Sequence, residues 1–553
     1  MADPNQNFVG IVGGGPVGMM LALLLERHGV HSVLFNAEET SRWHPKGSTH
    51  NSRTMEHYRR LGLSPAVRQV GLPWDHPTDV AYFTRLTGWE LGRIKLPTEA
   101  DKMAAVAASA KTDQVPEPIH RANQMYVEKL LFDRVGQSPM ITRRFGWRVN
   151  SMRIEADGVS IGAERVADGA REDWRFAYLV GCDGGQSLVR RTLGFRYSGF
   201  DTLEQEFMGG RMIATYLRMP TLLPEVIGRD RRAWQYTILN PGGRMVLVSL
   251  DGAAEYLLFT RAPDPSVAPD DGAIIRHIQG AAGAPVTVSV LGHNPWTAGA
   301  ALVAERFGEG RVILAGDSIH LFTPTGGFGM NTGLDDAANL AWKLAALAQG
   351  WGGPHLLATF EPERRPIAIR NTGMARGLAE RAGRMPVTPD LEADTASGAA
   401  ARARLSEFLA TTLGEEFASL GVQLGARYDG SRIVVADGAP PADDPFVYRP
   451  SSVPGGRAPH VWLGRGRSIG DSLYDRLGLG FSLLAFGSAD TRAIEAAAQE
   501  RGVPLAVLRL HDAEARALYE RDLVLIRPDQ HVAWRGNALP AECGPLLARV
   551  TGY

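Results

Sequence analysis

Cysteine is nearly absent: Cys182 and Cys543 are the only two in 553 residues. A disulfide framework, a cysteine-rich zinc site and an iron–sulfur cluster all need more thiolates than that. No apolar run approaches the roughly 18 residues of a membrane-crossing helix, so no membrane span is expected. The formal net charge of −1 gives no global pull toward nucleic acid or an anionic membrane. Arg229-Asp230-Arg231-Arg232 reads as a solvated loop, not a binding patch. The apolar stretch Val17–Leu25 lacks a basic leader and a cleavage site, and reads as a buried helix after a glycine turn. With so little cysteine, a reducing cytoplasm is the expected compartment.

What is present is ordinary in bulk and specific in detail. Hydrophobic residues make up 44% and charged residues 22%, as in a typical globular chain. At roughly 100–200 residues per domain, the length suggests about three domains. Phe8–Val12, Pro16–His28 and Ser32–Phe35 read as strand, helix and strand. Val80–Leu96 reads as a hairpin around Thr87-Gly88. From Met208 to Arg261 strand patterns dominate, with a turn at Asn240-Pro241-Gly242-Gly243, which suggests an inserted sheet domain. Val312–Ala315 returns to the α/β pattern, Asp335-Asp336 reads as a helix start, and residues 386–400 read as a linker. After Gly425 the pattern is again α/β, with strands at Phe481–Phe486, Leu505–Leu510, Leu523–Ile526 and Val532–Trp534.

Three glycine segments each follow an apolar run. They are Gly13-Gly14-Gly15-Pro16-Val17-Gly18, Cys182-Asp183-Gly184-Gly185, and Gly316-Asp317 followed by Pro324-Thr325-Gly326-Gly327-Phe328-Gly329-Met330-Asn331. In the first, Gly13 allows the tight turn, Gly15 the approach of a pyrophosphate and Gly18 close helix–strand packing. The helix that follows turns its positive end to the phosphates.

In this order, the three segments resemble the FAD-dependent aromatic hydroxylases, the single-component flavoprotein monooxygenases of the para-hydroxybenzoate and phenol hydroxylase type. The resemblance implies a mixed α/β and α+β fold. A Rossmann-like FAD-binding domain is expected over 1–76, 112–195 and 296–385, and an antiparallel-sheet substrate domain over 77–111 and 196–295. A thioredoxin-like domain is expected over 400–553, on Pro454–His460 and Arg527–Gly536. Lone Cys543 excludes disulfide chemistry there, and His460 and His531 read as structural, so no metal is expected.

By the same resemblance Gly13, Gly15, Pro16, Val17 and Gly18 hold FAD, together with Lys46, Arg53, Gln124, Asp183, Gly316, Asp317, Pro324, Gly327, Gly329, Met330 and Asn331. Asn36 stands where the family usually has an acidic residue for the adenosine ribose; either Asn36 or Glu38 does this work. Arg190 is left open between a structural bridge and a cofactor contact, and Glu56 and Glu128 read as surface or helix-pair charges. No second glycine-rich dinucleotide motif is visible, so NADPH or NADH is expected as a transient reductant. The implied reaction is hydroxylation of a small phenol or a polyketide by O2 through a flavin C4a-hydroperoxide, with water excluded. His50 is the candidate base, His320 is expected near the flavin, and Trp234 and Tyr236, with Pro324, are candidate substrate contacts. A Baeyer–Villiger monooxygenase and a non-catalytic flavin protein are the alternatives, and a homodimer is left open. No Trp-x-Trp-x-Ile-Pro segment points to a halogenase.

Overall fold

The computed structural model describes residues 8–203, 210–240, 243–261 and 270–553. A six-stranded sheet runs in the order Gly308–Glu309, Val312–Leu314, Tyr178–Gly181, Val9–Val12, Ser32–Asn36, Ile141–Phe145. Its middle strands are parallel, so the three glycine segments leave the same sheet edge side by side. Parallel strands are covered on both faces, which is why they are short unbroken apolar runs here. The helices Pro16–Arg27 and Phe328–Ala348 pack together over this sheet. They approach closely at Gly333, where a Cβ would lie 2.7 Å from a Val17 methyl. A three-stranded antiparallel sheet, Trp147–Ile154, Val159–Arg165 and Arg171–Phe176, also packs on this core, with Phe176 against Gly10.

A seven-stranded sheet runs in the order Ser289–Ala298, Gly210–Arg218, Glu255–Arg261, Gly243–Ser249, Gln235–Asn240, Val80–Phe83, Glu90–Ile94. The hairpin around Thr87-Gly88 is there, with Val80–Phe83 antiparallel to Glu90–Ile94. Pro241 and Gly242 of the other expected turn lie outside the described residues, but the strands on either side pair antiparallel. Strand alternation divides the sheet. Tyr82, Val246, Val248 and Leu257 face one core, and Phe83, Tyr236, Leu247 and Leu258 face another. A four-stranded sheet runs in the order Leu505–Leu510, Phe481–Phe486, Leu523–Ile526, Val532–Gly536, its first pair parallel and the others antiparallel.

Two local expectations are corrected. Asp335 and Asp336 do not start a helix; Phe328–Ala348 runs straight through them. Their polar pair imitates a cap in sequence, yet both carboxylates are buried against Arg364. Residues 386–400 are not a bare linker either. They hold the turn Pro389–Glu392 and begin the helix Ala396–Phe408. Leu391, Ala401, Leu405 and Leu409 bury an apolar stripe against the seven-stranded sheet.

Buried charge joins the C-terminal sheet to the rest. The Glu363 carboxylate accepts from Lys343 Nζ at 2.7 Å and from Arg527 Nη1 and Nη2 at 2.7 and 2.9 Å. All three side chains are fully buried. Removing Glu363 leaves Lys343 buried without its carboxylate, while Arg527 keeps only Asp529, and breaking a buried pair in this way costs about 3–5 kcal/mol. Glu363→Ala is therefore expected to lower the thermal midpoint sharply and to speed proteolysis of the C-terminal region. Thermal denaturation with limited proteolysis measures both.

Candidate active site

A cleft of about 660 Å³ opens at the carboxyl ends of the parallel strands, the position where open α/β sheets bind ligands. Gly13, Gly15, Pro16 and Val17 line it from the first segment, Asp183 and Gly184 from the second, and Asp317 from the third. Gly13 has φ +112°, and a Cβ there would sit 2.2 Å from the Cys182 carbonyl oxygen. At Gly18 a Cβ would meet the Gly13 carbonyl at 1.9 Å. No atom lies within 4 Å of a Cβ built at Gly15, so that side of the turn is open. The helix beginning at Pro16 has no side-chain cap, which leaves its first N–H groups for a ligand anion.

Met330 brings a second helix N-terminus to the cleft. Gly326 and Gly327, at φ +79° and +67°, turn the chain into Phe328–Ala348, which also lacks a side-chain cap. Its first-turn N–H groups carry the positive end of a 21-residue helix. Asn331 clamps this turn in place. Its Oδ1 accepts from the Asn51 N–H at 2.9 Å, and its Nδ2 donates to the Thr49 and Gly327 carbonyls at 2.9 and 2.6 Å.

A second pocket, of about 140 Å³, lies between the seven-stranded sheet and the Pro324–Phe328 turn. Its apolar walls include Tyr82, Trp234, Val246, Leu257, Phe259 and Phe417, and its polar lining includes Thr49, Arg121, Gln235 and Glu416. Lys46 lines both the pocket and the cleft, so the two cavities meet at this residue. Burial, then the Arg42 charge, pull the Lys46 amine below its ordinary pKa, while Asp317 and Glu128 oppose this.

A family model described as FAD binding domain matches residues 7–375, and one described as aromatic-ring hydroxylase, C-terminal, matches residues 451–552. The chain belongs to the FAD-dependent aromatic hydroxylase family. It is a flavoprotein monooxygenase, of mixed α/β fold, with FAD as its cofactor. It is 32% identical to a putative polyketide hydroxylase of Streptomyces halstedii, over 96% of this chain and 94% of that one. Among solved structures it resembles RebC, soaked with chromopyrrolic acid and holding 7-carboxy-K252c. The TM-score is 0.88 at 35% identity, with both chains covered in full. It also resembles the flavin-dependent monooxygenase PieE in complex with FAD and substrate, with a TM-score of 0.86 at 29% identity and 99% of each chain covered.

Within this hydroxylase, most of the expected cofactor residues meet at the cleft, but several do different work. Asn36 Oδ1 accepts from the Gly14 N–H at 3.2 Å, and its Nδ2 donates to the Glu38 carbonyl at 3.1 Å. An amide does both; a carboxylate has no donor for the second. Glu38 also lines the cleft, exposed and beside Arg42. Gln124 Nε2 donates to Glu128 Oε1 at 2.5 Å. Glu128 is buried on the cleft, which corrects its reading as a surface charge, and burial pushes its pKa up. Asp183 accepts from Ser187 Oγ at 2.5 Å and from the Val189 N–H at 3.1 Å, tying the second segment to a short helix. Arg190 bridges the Gly185 and Ser318 carbonyls at 3.0 and 3.4 Å and lies 3.9 Å from the Tyr197 ring centroid.

Four expectations are moved elsewhere. Arg53 does not reach the cleft. It donates to Glu56 at 2.9 Å, to Gln530 at 2.7 Å and to the Asp529 carbonyl at 2.7 Å, joining its helix to the C-terminal domain. Glu56 does form the expected helix pair, with Arg53 three residues before it, but buried and shared with Arg457 instead of at the surface. Tyr236 faces the far side of the sheet, where its hydroxyl accepts from the Ala233 N–H at 2.8 Å; Gln235 and Thr237 line the pocket instead. His50 is fully buried, with Nδ1 3.3 Å from the Tyr58 hydroxyl. Thr49 and Asn51 line the pocket, and His50 between them points away, as strand alternation requires. It is therefore absent from the pocket lining, where a base would have to act. Arg121 and Glu416 went unnoticed. Arg121 stands three residues before Gln124, but Glu416 is brought in from far along the chain and carries no local signal.

Two outcomes test this geometry. Gly18→Ala is expected to abolish retention of FAD, read as the ratio of flavin to protein absorbance, because the added methyl overlaps the Gly13 carbonyl. Burial pushes His50 from 6.5 down to about 3, and His57 to about 4. Between pH 6.5 and 4 the unfolded chain then binds more protons than the folded one, so stability falls as pH drops through that window. His50→Gln is expected to make that loss of Tm shallower while leaving the pH profile of turnover in place. A shifted turnover profile would return His50 to the chemistry.

Proposed function

We propose that this chain is a single-component hydroxylase of a phenolic ring, with NADPH or NADH as a transient reductant and O2 as co-substrate. The observation that carries the reading is the junction of the two cavities at Lys46, beside the uncapped turn that begins at Phe328. FAD, when bound, supplies acceptance of hydride and activation of O2, so that one oxygen atom enters the ring and the other leaves as water.

The chain's own residues bind, orient and exclude water. The Gly13–Gly18 turn and its helix hold the pyrophosphate, Asn36 or Glu38 the ribose, and Gln124 and Asp317 the ribityl chain. The N–H groups around Met330 favour negative charge on the flavin pyrimidine. Pro324, Trp234 and the apolar sheet face shape the ring's site and keep it dry. The division into an FAD domain over 1–76, 112–195 and 296–385, a substrate domain over 77–111 and 196–295 and a thioredoxin-like domain over 400–553 belongs to the same reading. Its support in the last case is a sheet with one parallel and two antiparallel pairings.

The test is NADPH and NADH oxidation by the purified holoprotein with a panel of simple and polycyclic phenols, with products weighed by mass spectrometry. Faster oxidation and one added oxygen on a phenol are expected. Oxygen insertion into cyclic ketones, with phenols untouched, would contradict the reading.

A further inference from the structure

Arg121 is out of place for a buried arginine. Arg53, Arg68, Arg364, Arg457 and Arg527 are buried as deeply and each meets a carboxylate, while Arg190, also without one, donates to two backbone carbonyls. Arg121 lines the substrate pocket, is 7% exposed, and has no carboxylate at ion-pair distance among the described residues. Its Nη1 donates to Thr49 Oγ1. Its guanidinium lies 4.1 Å from the Trp234 ring centroid and 6.0 Å from that of Phe417. Glu416 acts on this cation only from beyond ion-pair distance, so part of its burial cost stands, and an anionic ligand atom in hydrogen-bond contact offsets it.

The opposing charge in the pocket is already engaged. Glu416 Oε1 accepts from the Gly326 N–H at 3.0 Å, so this carboxylate is held on the turn that leads to the Phe328 helix. Burial lowers the pKa of Arg121 to about 10, which leaves it charged at neutral pH. Burial raises that of Glu416, against the Gly326 N–H and the Arg121 charge, and its place on the same pocket wall sets it against further negative charge in the ligand.

We propose that the pocket selects an aromatic substrate that bears a carboxylate, which pairs with Arg121 while the ring lies against Trp234 and Phe417. Glu416 then limits how much negative charge the ligand brings. The inference rests on the proposed function only in placing the aromatic ring in this pocket.

Binding tests it in the FAD-loaded protein without reductant, read from the flavin absorbance change. The probes are 1-hydroxy-2-naphthoate and its uncharged counterpart at neutral pH, 1-naphthol. The wild-type protein is expected to prefer the acid, and Arg121→Gln to cut the acid-to-neutral affinity ratio at least tenfold. Arg121→Lys is expected to keep part of that ratio, and Glu416→Gln to raise it. Because the readout is a ratio within one protein, a general loss of packing does not mimic it. A wild-type protein without preference for the acid, or an unchanged ratio in Arg121→Gln, overturns the proposal. Hydroxylation plays no part in the readout, so failure of the functional reading would show separately, in product mass.

Discussion

Two adjacent aspartates in the middle of a helix hold the cofactor side of this molecule together. Arg364 Nε donates to Asp336 at 2.7 Å and its Nη1 donates to Asp335 at 2.5 Å. His57 Nε2 lies 3.0 Å from Asp335, and His320 Nε2 lies 2.6 Å from Asp336. Asp336 also accepts from the Gly316 N–H at 3.2 Å. Five parts of the chain thus meet at one buried cluster: the Phe328 helix, the Ser52–Arg60 helix, the third glycine segment, the strand His320–Phe322 and the long helix Phe360–Gly383. Such a cluster is stable only when every charge is matched, and its geometry leaves little freedom to the uncapped turn at its end.

The two cavities are built by different means. The cofactor cleft is largely backbone: positive-φ glycines, two uncapped helix N-termini and strand ends in register. Backbone geometry of that kind tolerates wide change in the surrounding side chains, which fits a cofactor shared across a family. The second pocket is made of side chains from distant stretches, with Trp234 and Thr237 from the sheet and its approach, Arg121 from a short strand pair, and Leu413 and Glu416 from the segment that covers it. Fold alone therefore leaves substrate choice open.

That contrast accounts for what could be read from sequence. The glycine segments are local and dictated by backbone conformation, so they placed the cleft correctly, as did the strands that carry them. His50 lies off the pocket lining because proximity along the chain says nothing of which side of a strand a residue faces. Asp335-Asp336 failed because a polar pair at a cap and a polar pair matched by buried cations have the same letters. Arg53 is held away from the cleft by partners, Asp529 and Gln530, that lie far along the chain and leave no local signal. Glu416 carried no signal because its meaning depends on a helix, Ala396–Phe408, hidden in a stretch whose composition resembles a linker.

The most direct measurement is turnover of a phenolic substrate under 18O2 in unlabelled water, with the product weighed. The account predicts one 18O atom in the hydroxylated ring and the other in water. A product without label, its new oxygen drawn from water, would contradict it.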